Sequence, residues 1–464
     1  MNSLTLILLV PLVLGLLIRY PEVCLALFLF SGTFKAEFAH LSPWLPDITI
    51  ILALVILAGI FFHRFTGKKP ATGKSLVFSS LFALILILMI LSTLNNTIEN
   101  RYAMEKTTRF ATLTGLATFA PLFVVQNRQQ LLRFLGVSIA LGIIMTLTGE
   151  ITREGLTAFG ASHIATGRTI GLGFITVLGM ALLRYETGTL SITSLRTSGS
   201  QHRQRSFALL PILLYAGSAI VLGYGLLASG SRGALVALLV TIAAVVIIGT
   251  TIQRARKPVL TVTMFLVTAT IVITIIAPQT VVTMNQRITN TISAPLDQTA
   301  HTRVIRARSA LEMFSEHPLT GVGVGGFDLL FNPFESERGD YPHNLFLEVA
   351  AEMGFIGLIL FALLVFLPLY HALTSFRQSG QWTTLLIIAV TIYLLVNALF
   401  SGDLNDNRLL FTALGLCLTR KSPSIAPAGK NHETSTINPH PGRGYSACPG
   451  HSWSDTPSPD RGGA

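Results

Sequence analysis

Charge is what this chain has least of. Asp, Glu, Lys and Arg make up 12% of its 464 residues, about half the share found in ordinary soluble domains. With 51% hydrophobic residues and a mean hydropathy of +0.62, that scarcity excludes a soluble globular chain. Cysteine is also scarce: Cys24 and Cys417 lie in apolar runs and Cys448 near the end of the sequence. Three such residues exclude a disulfide framework and offer no metal-ligand spacing. Neither G-x-G-x-x-G after a strand nor G-x-x-x-x-G-K-[ST] occurs, so a soluble nucleotide site is excluded too. The first apolar run lacks a basic leader and a small-residue cleavage site, and a second run follows at once. It reads as a membrane helix rather than a signal peptide.

What is present is a succession of apolar runs, at about residues 4–18, 22–33, 47–62, 76–94, 110–125, 132–148, 168–183, 207–227, 233–250, 258–277, 354–370, 382–400 and 408–419. A span needs about 20 apolar residues, and in lipid only helices or closed barrels satisfy the backbone. The expected fold is therefore an all-α polytopic membrane protein with roughly 12 transmembrane helices. It divides into N-terminal transmembrane helices (1–277), a long loop (278–342) containing amphipathic helices, C-terminal transmembrane helices (343–419) and a Ser/Pro/Gly/His-rich tail (420–464). The tail lacks apolar periodicity and reads as disordered and cytoplasmic.

The net charge of +11 acts first as a topology signal. Loops around Lys68, Arg128, Arg203 and Arg256 are purely basic, whereas Glu99–Lys106, Glu150–Glu154 and 278–342 mix signs. The positive-inside rule places the basic loops in the cytoplasm and the mixed loops outside.

Three polar features then stand out. Ser229-Gly230-Ser231-Arg232-Gly233 interrupts an otherwise apolar stretch and puts Arg232 at the N-terminal end of a helix. A cation there opposes the helix dipole, and a bound anion would relieve the conflict; a snorkelling interfacial arginine is the plainer reading. From Arg303, the residues Val304, Ala307, Leu311 and Phe314 recur at helical spacing, with Arg303 and Arg306 on a neighbouring face and Arg308 paired to Glu312 on the solvated side. This predicts an amphipathic helix at the outer membrane surface. Pro342 suits the first position of a helix, with His343 following it. The positive helix end there favours a neutral imidazole able to accept a proton.

Other features carry less. Gly321-Val322-Gly323-Val324-Gly325-Gly326 follows a helix rather than a strand and reads as a flexible connector, and Asp403–Asn407 lacks the spacing of an EF-hand loop. His432, His440 and His451 match no ligand pattern.

Taken together, SGSRGA at Ser229–Ala234, R-x14-P-L-x-G-x-G from Arg303 to Gly323, and PHN-x3-E-x3-E-x-G-x-x-G from Pro342 to Gly357 resemble the O-antigen ligase/polymerase superfamily. The resemblance extends to about residue 419, and it departs from the family pattern at Ala307, where an aromatic residue is usual. It implies a GT-C-type glycosyltransferase of the bacterial cytoplasmic membrane. Such an enzyme moves a glycan from undecaprenyl pyrophosphate to an acceptor hydroxyl outside that membrane, without nucleotide sugar, metal or other cofactor. It implies catalytic roles for Arg232, Arg303 and His343, and beside them Ser231, Arg306 and Asn344 are expected to bind substrate. The partners would be the lipid-linked glycan donor, a glycan, lipid or protein acceptor and membrane lipids, with no nucleic acid. A polymerase or a protein O-oligosaccharyltransferase of the same superfamily remains open. So does a different class, a polysaccharide or solute transporter, which would favour ionisable residues near mid-span and broken helices in matching halves.

Overall fold

Long apolar runs fold in the only way that leaves no backbone group unpaired in lipid, as helices. The computed structural model describes residues 13–41, 47–65, 74–95, 101–186, 202–250, 298–331 and 339–419, together with positions 278 and 282. The expected span at 258–277, the basic loops around Lys68 and Arg256, and the tail lie outside the described residues. The chain separates into two units, Met1–Ser422 and Pro423–Ala464; the second lies wholly outside the described residues.

Helices α1 (Val13–Arg19) and α2 (Pro21–Leu41) are bent by 111° at their junction. α3 (Ile48–Phe65) packs on α2, and α4 (Lys74–Asn95) follows. α5 (Arg101–Arg109) runs through one π-turn, Phe110–Thr114, into α6 (Gly115–Val124). α7 (Arg128–Thr148) starts on a capping box, in which the Asn127 side chain accepts from the Gln130 amide and the Gln130 side chain reciprocates. A small hairpin, β1 (Glu150–Thr152) with β2 (Gly155–Thr157), leads to α8 (His163–Glu186). Then come α9 (His202–Ser229), α10 (Arg232–Thr250), α11 (Gln298–Glu316), α12 (Gly326–Phe331), α13 (Leu345–Ser379), α14 (Trp382–Ala398) and α15 (Arg408–Cys417). α8 is the central post, packed against α7, α9, α10 and α14 and the most deeply buried of the membrane-length helices.

Five of these helices are long and apolar enough to cross a membrane: Ser75–Leu94, Arg128–Thr148, His163–Arg184, Arg232–Thr250 and Leu345–Ser379. The bent pair α1–α2 makes six if it counts as one span, and shorter apolar helices cover Ile48–Phe62, Leu213–Ser229, Trp382–Ala398 and Arg408–Cys417. The described chain is thus mostly helical, with the architecture of an integral membrane protein.

The predicted start of the helix at Pro342–His343 shifts. α13 begins at Leu345, because the Asn344 side chain accepts from the amides of Phe346 and Leu347 and takes the N-cap. His343 stands before the helix in a left-handed turn, φ +55°. α13 also breaks at Gly354, φ +61°. A Cβ there would sit 2.4 Å from the Leu319 carbonyl carbon, so only glycine fits both the turn and the approach.

That approach changes the reading of the glycine-rich connector. Val322 and Gly323 donate their amides to the carbonyls of Ala351 and Glu352, while Phe355 and Ile356 donate back to Pro318 and Leu319. The Val324 amide donates to Ser92 Oγ. The connector is seamed to the break in α13, and its amides at 322–324 are engaged.

In the sequence Lys106 closes a mixed-sign loop, and Glu348 and Glu352 are the two acidic positions of the PHN-x3-E-x3-E pattern. The structure joins them: Lys106 Nζ lies 2.6 Å from Glu348 Oε1 and 2.7 Å from Glu352 Oε2, with all three side chains at most 3% exposed. Asn405 Nδ2 donates to the Lys106 carbonyl and Thr114 Oγ1 donates to Asn405 Oδ1, tying in the turn before α15. Removing one partner of such a buried cluster strands uncompensated charge. Lys106→Met is expected to destabilise the fold by about 3–5 kcal/mol, read as a lowered denaturation midpoint in detergent. Adding Glu348→Gln and Glu352→Gln to that variant is expected to restore much of the loss.

Candidate active site

The site is built from three chain breaks. At the first, Gly230 takes φ +63°, Ser229 Oγ donates to the Leu226 carbonyl, and the Ser231 amide donates to Ser229 Oγ. These bonds end α9 and start α10 on Arg232. Ser229 and Ser231 are buried, and Arg232 is half-buried.

The second element is α11. Its packed face differs from the predicted stripe: Val304, Ile305 and Leu311 are exposed, whereas Ala310 and Met313 are buried against Phe327 and Ala351. Arg303 and Arg306, one turn apart, are half-buried. An apolar stripe meets hydrocarbon as readily as protein, so in a membrane helix it need not be the packed side. Arg308 pairs with Glu312 at 2.9 Å in the open, as expected.

The third is the turn before α13. Asp328 Oδ1 accepts the amides of Gly339 and Asp340. This holds Asp340 where its Oδ1 receives Arg306 Nη2 at 2.5 Å. Arg306 Nη1 lies 3.2 Å from His343 Nε2, and the guanidinium carbon stands 5.6 Å from the Phe331 ring centre. The Tyr341 ring lies 4.4 Å from the imidazole, centre to centre. Guanidinium has only donors, so Nε2 is the accepting nitrogen and Nδ1 carries the ring proton. Nδ1 is buried without a hydrogen-bond partner among the described residues.

Burial, then the guanidiniums of Arg306 and Arg303, pull the imidazole from its usual 6.5 down to about 4, against the opposing pull of Asp340. Burial and the neighbouring cations Arg232 and Arg306 likewise lower the Arg303 pKa. Burial and the carboxylates of Asp406, Asp403 and Glu348 push the Tyr341 phenol up to about 12. The ring of His343 is therefore neutral and set among cations.

A measurable consequence concerns pH. The unfolded chain protonates this imidazole near 6.5 and the native chain near 4, so the native state binds fewer protons in between. His343 accordingly withdraws stability as pH falls through that window. The native midpoint, read from the ring-proton NMR shift, is expected near 4. It is expected to rise toward 6.5 in Arg306→Met, which removes a cation.

Of the predicted residues, Arg303 lies within electrostatic reach of Arg232 and Arg306, and His343 within reach of Arg303 and Arg306. Ser231 lies in the α9–α10 break, and Asn344 gives its carbonyl oxygen to the α13 cap. Sequence reasoning missed Asp340, and it missed Arg168 on α8. Arg168 Nη2 donates to Asn407 Oδ1 at 2.8 Å, beside Tyr341 and Asp406. An arginine at the edge of the run at 168–183 was the available signal, because ionisable residues in membrane segments are rarely idle. Asn405 and Asn407, in the turn with scattered oxygens, are engaged with Thr114 and Arg168. Among the described residues no group of three His, Cys, Asp or Glu could hold a metal ion.

No curated protein matches the chain. A family model described as O-Antigen ligase matches residues 217–362, a stretch holding both the α9–α10 break and the whole Arg303–His343 region. That stretch, less than half of the chain, is similar to the O-antigen ligase family.

Proposed function

We propose that this chain transfers a glycan from undecaprenyl pyrophosphate to an acceptor hydroxyl at the outer face of the bacterial cytoplasmic membrane. The observation that carries the reading is a neutral imidazole 3.2 Å from the Arg306 guanidinium and close to Arg303, which in turn lies near Arg232 at the start of α10. The acceptor oxygen attacks the anomeric carbon and its proton passes to His343. The bond from that carbon to the pyrophosphate oxygen breaks, and the leaving group departs with the electron pair. Arg232 and Arg303 stabilise the charge that grows on the phosphates, since arginine is always charged and engages two oxygens at once. Arg306, Ser231 and Asn344 contact substrate. Direct displacement inverts the anomeric configuration.

In this reading residues 278–342 and Arg232 face outward, the loops around Lys68 and Arg256 and the start of α9 at Arg203 face the cytoplasm, and the full set of spans is about 12. The polyprenyl tail enters sideways from lipid and the acceptor from outside, with His343 nearer the acceptor. The same chemistry serves a polymerase or a protein-directed transferase, and the acceptor decides among the three.

The test incubates the purified full chain with lipid-pyrophosphate-linked glycan and separate lipid, glycan and protein acceptors. Released undecaprenyl pyrophosphate with one acceptor glycosylated is the expected result. Turnover with none of them, by folded protein in native lipid, would sink the proposal.

A further inference from the structure

We propose that Arg306 masks the His343 base in the donor-free protein, and that the pyrophosphate of the donor unmasks it by drawing Arg306 away. The inference rests on the transfer reaction proposed above and assigns Arg306 a second task within it.

The argument is one of lone pairs. A neutral imidazole has one, and a general base must offer it to the acceptor hydroxyl. Here Nε2 receives Arg306 Nη1 at 3.2 Å, and a guanidinium can never accept in return. The lone pair is therefore occupied and the proton sits on Nδ1. Using Nδ1 as the base instead would require the other tautomer, which turns an Nε2–H against the Arg306 N–H. Either route requires that Arg306 leave.

The surroundings fit such a departure. Arg306 Nε is buried with no partner among the described residues, so an uncommitted donor points into the protein. Arg303 stands one turn away on the same helix and is disfavoured by the charges of Arg232 and Arg306. Asp340, to which Arg306 is anchored, is itself held through its amide by Asp328. It therefore stays in place to receive Arg306 again after release. A pyrophosphate supplies several charged acceptor oxygens and outcompetes a neutral ring nitrogen for a guanidinium. Coupling the two events exposes the base only when a leaving group is bound.

The experiment uses the full chain in lipid nanodiscs with ¹⁵N-labelled histidine, the His343 signals being assigned by their loss in His343→Gln. In the donor-free wild type the Nδ1–H tautomer of His343 is expected to dominate. Arg306→Met is expected to shift the tautomer ratio by at least about tenfold, the scale of a hydrogen bond from a charged donor. Adding undecaprenyl pyrophosphate to the wild type is expected to move the ratio the same way, and to leave Arg306→Met unchanged. Equal ratios in donor-free wild type and Arg306→Met would overturn masking. An unmoved wild-type ratio with the lipid pyrophosphate bound would overturn release. Because that titration needs no variant, the proposal stays testable even if Arg306→Met does not fold. Failure of undecaprenyl pyrophosphate to bind at all counts against the transfer reading, and the donor-free comparison still decides masking.

Discussion

Replacing His343 with Asn is expected to slow glycan transfer by about 10²–10⁴-fold, the usual worth of a positioned general base, while leaving binding of the lipid pyrophosphate intact. Asparagine is chosen for the backbone. Position 343 has φ +55°, a conformation that Asn adopts more readily than most residues, so the turn before α13 survives and only the basic nitrogen is lost. The half-buried ring is kept neutral by burial and two arginines, so it is available to accept a proton. Single-turnover transfer and donor binding are measured side by side. A variant that transferred at the wild-type rate would remove the base assignment. Parallel loss of donor binding would make His343 a binding residue instead.

The second large effect is expected at Arg303, where lysine should lower turnover by about 10²–10³-fold even though the charge is kept. Arg303 makes no hydrogen bond or ion pair among the described residues, yet it stands where Arg232 and Arg306 repel it. Repulsion of this kind is relieved by an anion that several guanidiniums grip together, and a lysine point charge cannot supply the two-pronged grip. The control is Arg308→Ala. Arg308 lies five residues further along, pairs with Glu312 in the open, and such surface pairs contribute at most about 1 kcal/mol. Full activity in Arg303→Lys with loss in Arg308→Ala would mean that the other face of α11 carries the chemistry.

Much of this was legible because the relevant signals are local. The apolar runs at 132–148, 233–250 and 382–400 became helices within a few residues of their expected bounds. The motifs around Arg232, Arg303 and His343 named residues that the fold gathers. Three things were not legible, each for its own reason. Lys106 meets Glu348 and Glu352 across more than 240 residues, and nothing near Lys106 announces a partner. Pro342 and Asn344 are both helix-start signals, and the side-chain cap of Asn344 prevailed, so His343 fell outside α13. On α11, the stripe of Val304 and Leu311 was periodic as expected, but periodicity does not say which solvent the stripe faces. Asp340 escaped notice because its role depends on Asp328, which holds it by a backbone amide rather than by any sequence pattern.

The seam between the glycine-rich connector and the break in α13 bears on how such a chain can diversify. Four main-chain bonds fix residues 318–323 to residues 351–356, and Asp328 pins Gly339 and Asp340 from across the intervening stretch. The distance between Arg306 and His343 is therefore set by main-chain hydrogen bonds and one buried carboxylate, which ask little of the residues that supply the amides and carbonyls. Side chains along these strands of contact can vary in sequence while the spacing of cation and imidazole is inherited unchanged.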